Sequence, residues 1–226
     1  MRLHLPVEFA LTKKELKTRI YEAFNEQLSA EGFKFRKRDE TFLRKEDDDT
    51  CFLITLYFYG FNSQNNYGLD IICGIKFERL LALEKELCGN SKIKRLVTGK
   101  SLKMIVPNQL QEMGRNEFYT HDSEKELLRK VNLIIKGIKN YGLPYLSMMS
   151  EKECTLRQME MEGITSYPTF LPLSFLLWYN DRVKCMELAK SALYYYAQWG
   201  IDKNEQYNDY LFFYERLKQY VGEDKE

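Results

Sequence analysis

The sequence predicts an α+β fold, in which a mainly antiparallel sheet of roughly four to six strands has helices on both faces. Two observations support this prediction. Apolar residues recur at helical spacing near the N-terminus, and residues 33–77 then show the two-residue alternation of strands. After residue 123, the apolar spacing is helical again. The fold therefore ends in a helical C-terminal part.

The first predicted element is a helix over residues 13–31. Thr12 and Glu15 have the spacing of a capping box, in which each side chain bonds the backbone N–H of the other residue. Apolar residues follow on one face of the helix, at Leu16, Ile20, Phe24 and Leu28. Gly32 suits the left-handed position that ends a helix. This amphipathic helix must pack on another layer.

Four strands are predicted next, as an antiparallel meander. Residues 33–38 and 41–45 form a short pair. Residues 51–59 are apolar or aromatic at nearly every position, which is typical of a central strand buried on both faces. In residues 69–77, apolar positions alternate with small or charged ones, so that strand has one wetter face.

Shorter elements are predicted in the middle of the chain. Residues 80–87 form a short helix that ends at Gly89. The alternation of apolar residues over 102–106 predicts a strand. Phe118 and Tyr119 predict one more short strand.

The last part of the chain is predicted to be helical. Ser123 begins a long helix that ends near residues 142–144, and Ser150 begins another helix. Helices over 173–199 and 204–221 follow and form an αα-hairpin. We therefore expect a sheet domain over residues 1–149 and a helical region over 150–226, packed on the same core.

Composition excludes several classes of protein. The 226 residues carry a formal net charge of +1, which argues against a dominant attraction to nucleic acid or anionic lipid. The longest apolar run, 169–179, is much shorter than the ~18 residues of a membrane-spanning helix. Five widely spaced cysteines, an odd number, predict reduced thiols. Because the N-terminus lacks the pattern of a signal peptide, we expect a cytoplasmic protein.

No cofactor or metal ion is expected from the motifs. The triplet Gly99-Lys100-Ser101 matches the end of a phosphate-binding loop, but Lys94 occupies the position where that loop requires its first glycine. The two histidines are far apart in the sequence, and the acidic residues 47–49 lack the glycine and glutamate of a calcium loop.

Two segments resemble an uncharacterised bacterial domain family of unknown function. Residues 28–36 read Leu-Ser-Ala-Glu-Gly-Phe-Lys-Phe-Arg, and residues 41–44 read Thr-Phe-Leu-Arg before a long aromatic strand. Residues 117–145, from Glu-Phe-Tyr to Gly-Leu-Pro-Tyr, are similar to the later part of that family. The resemblance implies a helix, a Gly-Phe-basic turn, a meander and late helices. Some such domains look like immunity or inhibitor partners of secreted toxins.

The leading functional hypothesis is a non-enzymatic protein-binding module. The sequence contains 16 tyrosines, whose rings are apolar while their hydroxyl groups tolerate water. Several lie in the predicted C-terminal hairpin, and we expect a contact surface for a protein partner at Tyr194, Tyr195, Tyr207 and Tyr210. The alternative explanation is that these rings fill the core.

A nucleic-acid-binding protein is the first alternative. Lys34, Arg36 and Arg38 surround Phe35, and such interleaving of basic and aromatic residues is typical of proteins that bind single strands. Lys94 lies in a basic stretch without acidic residues and would extend this surface. A solvated strand edge explains the same pattern without any ligand.

An enzyme with an acid or base at Asp70 is the second alternative. Asp70 lies on the wetter face of its strand, where Tyr57, Tyr59 and Lys76 are expected nearby. A half-buried carboxylate among phenols can transfer protons. An ion pair or a cross-strand hydrogen bond would explain the same residues.

Overall fold

The predicted antiparallel sheet is present. A computed structural model describes residues 11–60, 66–89, 98–198 and 204–222. Within these ranges six strands form one sheet: β1 (Lys34–Arg36), β2 (Thr41–Lys45), β3 (Thr50–Gly60), β4 (Asn66–Phe77), β5 (Thr98–Ser101) and β6 (Arg115–Tyr119). Strands β1 to β5 are neighbours in chain order, and β6 also pairs with β4. The pairs β1–β2, β2–β3 and β4–β6 are antiparallel.

Helices surround these strands in the sequence and continue after them. They are α1 (Lys13–Ser29), α2 (Glu78–Cys88), α3 (Leu102–Ile105), α4 (Glu124–Gly137), α5 (Leu143–Ser150), α6 (Lys152–Glu162), α7 (Phe170–Tyr179), α8 (Arg182–Gln198) and α9 (Asn204–Val221). A 3₁₀ turn at Asn108–Met113 and a π turn at Ile138–Gly142 complete the described elements. The prediction of an α+β fold is confirmed.

Helix α1 begins with the predicted capping box. The backbone N–H of Thr12 donates to the Glu15 carboxylate over 2.8 Å, and the N–H of Glu15 donates to the Thr12 hydroxyl over 3.2 Å. The apolar face of the helix is buried, at Leu16, Ile20, Ala23, Phe24 and Leu28. The chain then turns at Gly32, whose φ of +82° favours glycine. Both ends of α1 thus follow from local sequence signals.

Strand β3 is central, as predicted, because β2 and β4 flank it. Its first half is buried on both faces, at Cys51, Phe52, Leu53 and Ile54. The prediction is wrong in the second half, since Tyr57 is 60% exposed. The phenol hydroxyl can bond water, so the ring is tolerated at this solvated position.

The segment predicted as a strand at 102–106 is instead the one-turn helix α3. Leu102 and Val106 are buried and Met104 is exposed. That pattern fits positions i and i+4 of a helix as well as it fits alternate positions of a strand. The N–H of Val106 donates to the Leu102 carbonyl over 2.9 Å, which decides for the helix.

The helix that begins at Ser123 does not end at residues 142–144, as predicted. A π turn follows α4, in which the Leu143 N–H donates to the Ile138 carbonyl, and α5 continues from there. Pro144 lies in the first turn of α5, where a missing N–H is tolerated. Ser150 ends α5, and α6 has Glu151 at its N-cap without a side-chain bond. The predicted capping role of Ser150 is therefore also wrong.

The helix predicted over residues 173–199 is two helices, α7 and α8. Asn180 separates them with a left-handed conformation, φ +53°, which asparagine adopts more readily than most residues. The Asp181 carboxylate then accepts the Lys184 N–H over 2.8 Å and caps α8. The Asn-Asp dipeptide was the sequence signal for this break.

The chain divides into two compact units. Of the described residues, 11–47, 51–60, 66–75 and 99–148 form the first unit. The second unit contains 48–50, 76–89, 98, 149–198 and 204–222. In the first unit, α1 packs on α4, and one sheet face carries Phe58, whose ring lies 5.3 Å from Tyr21 of α1. The predicted boundary at 149/150 does not hold for α2, which precedes it in the sequence but belongs to the second unit. A core shared by the two predicted parts stays a prediction.

In the second unit, the predicted αα-hairpin of α8 and α9 is confirmed by their packing. Helix α2 packs against α7 and α9, although it precedes them by more than eighty residues. The buried Glu84 of α2 accepts a hydrogen bond from the Thr169 hydroxyl over 2.7 Å. This bond joins α2 to the start of α7.

Replacing Thr12 by Ala removes one side of the capping box, so we expect the free energy of unfolding to fall by about 1 kcal/mol. Urea unfolding followed by circular dichroism measures the change. Thr18→Ala is the matched control, because the Thr18 hydroxyl donates to the Lys14 carbonyl and satisfies no N–H at the helix start. An equal loss in both variants would contradict the capping role.

Candidate functional site

The predicted C-terminal tyrosines do not share one surface. Tyr194 is 67% exposed, Tyr195 and Tyr207 are half-buried, and Tyr210 is 1% exposed. The Tyr210 ring lies 5.2 Å from Tyr196 and 5.3 Å from Phe213. Assigning Tyr210 to a contact surface is therefore wrong, because it lies on the apolar face of α9.

The Tyr210 hydroxyl has a structural partner. It donates to the Pro168 carbonyl over 2.8 Å inside the second unit. Burial raises the pKa of Tyr210 well above its usual value, so the phenol stays protonated and acts as a donor. The bond ties α9 to the segment before α7 and leaves no hydrogen for a ligand.

An exposed surface does exist on α8. Val183 is 72% exposed and lies eleven residues before Tyr194. Eleven residues are about three helical turns, so both side chains lie on the same face, about 16 Å apart. Glu187 and Lys190 lie between them on that face and are exposed. We call these four residues the α8 face; sequence reasoning missed Val183, although its helical spacing from Tyr194 was readable.

The basic residues proposed for nucleic acid lie at the edge of the sheet in the first unit. Lys34 and Arg36 belong to β1 and Arg38 follows it, and all three are exposed. Arg36 forms an ion pair with Asp39 over 2.7 Å, which is weak because both side chains are exposed. Lys94 lies outside the described residues.

The strand register connects this edge to the centre of the sheet. Arg36 is opposite Thr41, and Thr41 is opposite Thr55 of β3. The Thr41 and Thr55 hydroxyl oxygens are 2.9 Å apart, so these side chains share one face. Tyr57 and Tyr59 follow Thr55 at two-residue intervals and lie on that face too.

Tyr57 and Tyr59 form a stacked pair, which we call the tyrosine pair. Their ring centroids are 6.5 Å apart and the ring planes differ by 28°. The Tyr59 ring lies over Gly68 of β4, where any Cβ would overlap it. A residue without a side chain at this position is therefore required for the ring to lie against the sheet.

Asp70 is engaged by neighbouring groups. Its Oδ1 accepts the Ser101 hydroxyl over 2.6 Å and the Ile71 N–H over 3.0 Å. Its Oδ2 lies 3.6 Å from the Lys103 ammonium. Lys76, which was expected nearby, pairs with Glu78 instead. These contacts give Asp70 a structural role between β4 and α3, and the enzyme hypothesis stays a prediction.

Three further features are absent from the part of the chain that the structure describes. No group of three or more His, Cys, Asp or Glu residues there is arranged to hold a metal ion. No disulfide joins any of the five cysteines, all of which are described. No described helix combines the length and apolar content needed to cross a membrane.

Comparison with known proteins gives one partial similarity. The chain is 32% identical over 91 residues to the protein kinase domain-containing protein ppk3 of Schizosaccharomyces pombe. The matched region covers 36% of this chain but only 14% of that protein. No protein-family model matches the chain, and no solved structure matches it. This similarity is too short to show a family.

Removing the Tyr210 hydroxyl leaves the buried Pro168 carbonyl without its donor. We expect Tyr210→Phe to lower the free energy of unfolding by about 1–3 kcal/mol, measured by urea unfolding. Tyr194→Phe is the matched control on the neighbouring helix, and its exposed hydroxyl should change stability by less than about 0.5 kcal/mol. Equal stability of both variants would contradict a stabilising bond between Tyr210 and Pro168.

Gly68→Ala should be destabilising by about 1–3 kcal/mol, because the new methyl group overlaps the Tyr59 ring. Gly60→Ala is the control, since a Cβ there has open space. Removing the ring should relieve the overlap, so the double variant Tyr59→Ala/Gly68→Ala should lose less stability than the two single losses combined. Additive losses would show that ring and glycine do not touch.

Proposed function

We propose that the protein is a non-enzymatic, protein-binding module of the bacterial cytoplasm, comparable to immunity or inhibitor proteins. The exposed α8 face is the observation that supports this proposal. Val183 and Tyr194, at its two ends, are both mostly exposed, although the same helix buries Cys185, Met186, Ala189 and Ala192 on its other side. The buried side of α8 already provides its packing, so packing of the helix does not account for the apolar side chains of Val183 and Tyr194.

The composition of the α8 face favours a protein as the ligand. Tyrosine is enriched in protein interfaces, because the ring provides contact area and the hydroxyl forms hydrogen bonds. Glu187 and Lys190 add one charge of each sign between the apolar ends, which suits a partner with a mixed surface more than a polyanion. Further exposed apolar side chains in the second unit are Tyr179, Phe212 and Tyr220.

Three described nucleophiles, Cys73, Cys154 and Ser101, favour binding over catalysis. Burial raises the pKa of the Cys73 thiol to about 12, so the thiolate needed for attack is not formed at neutral pH. The pKa of Cys154 is also raised, by partial desolvation and by the Glu151 carboxylate. The Ser101 hydroxyl donates to Asp70, whose carboxylate is also near Lys103.

A photo-crosslinking amino acid at position 194 tests the proposal in the native cell. We expect a discrete cross-linked protein species at this position. Val183→Glu in the same chain should remove most of the cross-link, because it places a charge in the apolar contact. Cross-linked bands are resolved by gel electrophoresis and identified by mass spectrometry.

Position 128 is the control for non-specific capture, because Leu128 is an exposed apolar residue of a helix in the first unit. The same species captured from positions 194 and 128 would contradict a specific contact through α8. So would a cross-link at 194 that Val183→Glu leaves unchanged.

A further inference from the structure

The tyrosine pair lies on an open face of the first unit's sheet. Tyr57 is well exposed although β3 has neighbouring strands on both sides. The rings of Tyr57 and Tyr59 are nearly parallel, with centroids 6.5 Å apart. We call the aromatic surface that they form together the platform. Gly68 beneath the Tyr59 ring holds that ring against the sheet instead of letting it project. The position of the platform is thus set by β3, which carries both tyrosines, and by the glycine of β4.

Basic groups border this platform on the β1 side. Arg36, Thr41 and Thr55 form one row across three strands, and Tyr57 is the next residue on that face of β3. Neighbouring strands are about 4.8 Å apart, so β1 lies about 10 Å from β3. Lys34 occupies the neighbouring row of β1 and is exposed. By this register Arg36 is one row from Tyr57, and Lys34 is two rows away.

Three acidic groups on or near this face have partners. The Asp70 carboxylate accepts the Ser101 hydroxyl and lies near Lys103. The Glu117 carboxylate accepts the Tyr119 hydroxyl over 2.8 Å on β6. Asp39 faces Arg36 in an exposed ion pair, which a phosphate can replace at little cost. The β1 edge is thus the more positive side of the platform.

We propose that this face binds single-stranded nucleic acid, with bases on the tyrosine pair and phosphates at Lys34, Arg36 and Arg38. Aromatic rings next to a basic track are the arrangement that binds single strands without reading their sequence. A duplex fits less well, because its bases stack on each other and do not offer their faces. This function is independent of the α8 face, which belongs to the other unit.

Fluorescence anisotropy with a labelled uridine oligomer of about 12 nucleotides tests the proposal on the full chain. We expect binding at low salt, and weaker binding to a duplex of the same length. Tyr57→Ala should weaken binding at least about fivefold, because stacking on one base is lost. Met161→Ala, at an exposed residue of the second unit that belongs to neither proposed surface, should leave the affinity unchanged.

The salt dependence separates the role of the cations from that of the rings. Arg36→Gln should reduce the slope of log affinity against log salt by about 0.7, the value for one phosphate contact with a single strand. Tyr57→Ala should leave that slope unchanged while lowering affinity. Absence of binding by the wild type at low salt overturns the proposal. Equal affinity of wild type and Tyr57→Ala, or equal affinity for the duplex, also overturns it.

Discussion

The buried inner face of β3 and β4 is the constraint on which the first unit depends. Ile54 and Leu56 of β3, and Ile71 and Cys73 of β4, are almost completely buried. Strand side chains alternate between faces, so this burial determines which residues face the other way. A shift of one residue would bring the Tyr57 ring into the core and expose the aliphatic side chains. The exposed platform is therefore a consequence of the core, held in register by the same pairs that place Arg36 in its row.

The second unit depends on a different kind of contact, in which polar groups inside a helical core have specific partners. The Tyr210 hydroxyl bonds the Pro168 carbonyl, and the Thr169 hydroxyl bonds Glu84. Buried polar groups are costly when unpaired, so such bonds favour one arrangement of helices over its near alternatives. Helix α9 can accordingly bury Tyr210 in the core while it exposes Tyr220, and Tyr194 is exposed on α8.

Sequence reasoning predicted the elements whose signals are local and agree with each other. The capping box of Thr12, the apolar face of α1 and the alternation in β4 belong to this group. It failed where one spacing fits two structures, as at Leu102 and Val106, and where a single residue changes the chain direction, as at Asn180. Sequence reasoning also did not predict the π turn before Pro144. A proline breaks a helix in its interior but is tolerated in the first turn, and the sequence alone did not show which position Pro144 has. Helical spacing shows which residues share a face of one helix, but not what that face packs against. It therefore could not predict that Tyr194 is exposed while Tyr210 is buried.

The packing of α2 has a consequence for the order in which the chain folds during synthesis. Helix α2 leaves the ribosome early, yet its described partners α7 and α9 begin at Phe170 and Asn204. Its apolar residues Leu80, Leu83 and Leu87, together with the carboxylate of Glu84, have to wait while the first unit's remaining strands and helices emerge. Contacts across such long separations form slowly and leave apolar surface open to other chains meanwhile. Chaperones should accordingly stay bound longest to nascent chains that end before Phe170.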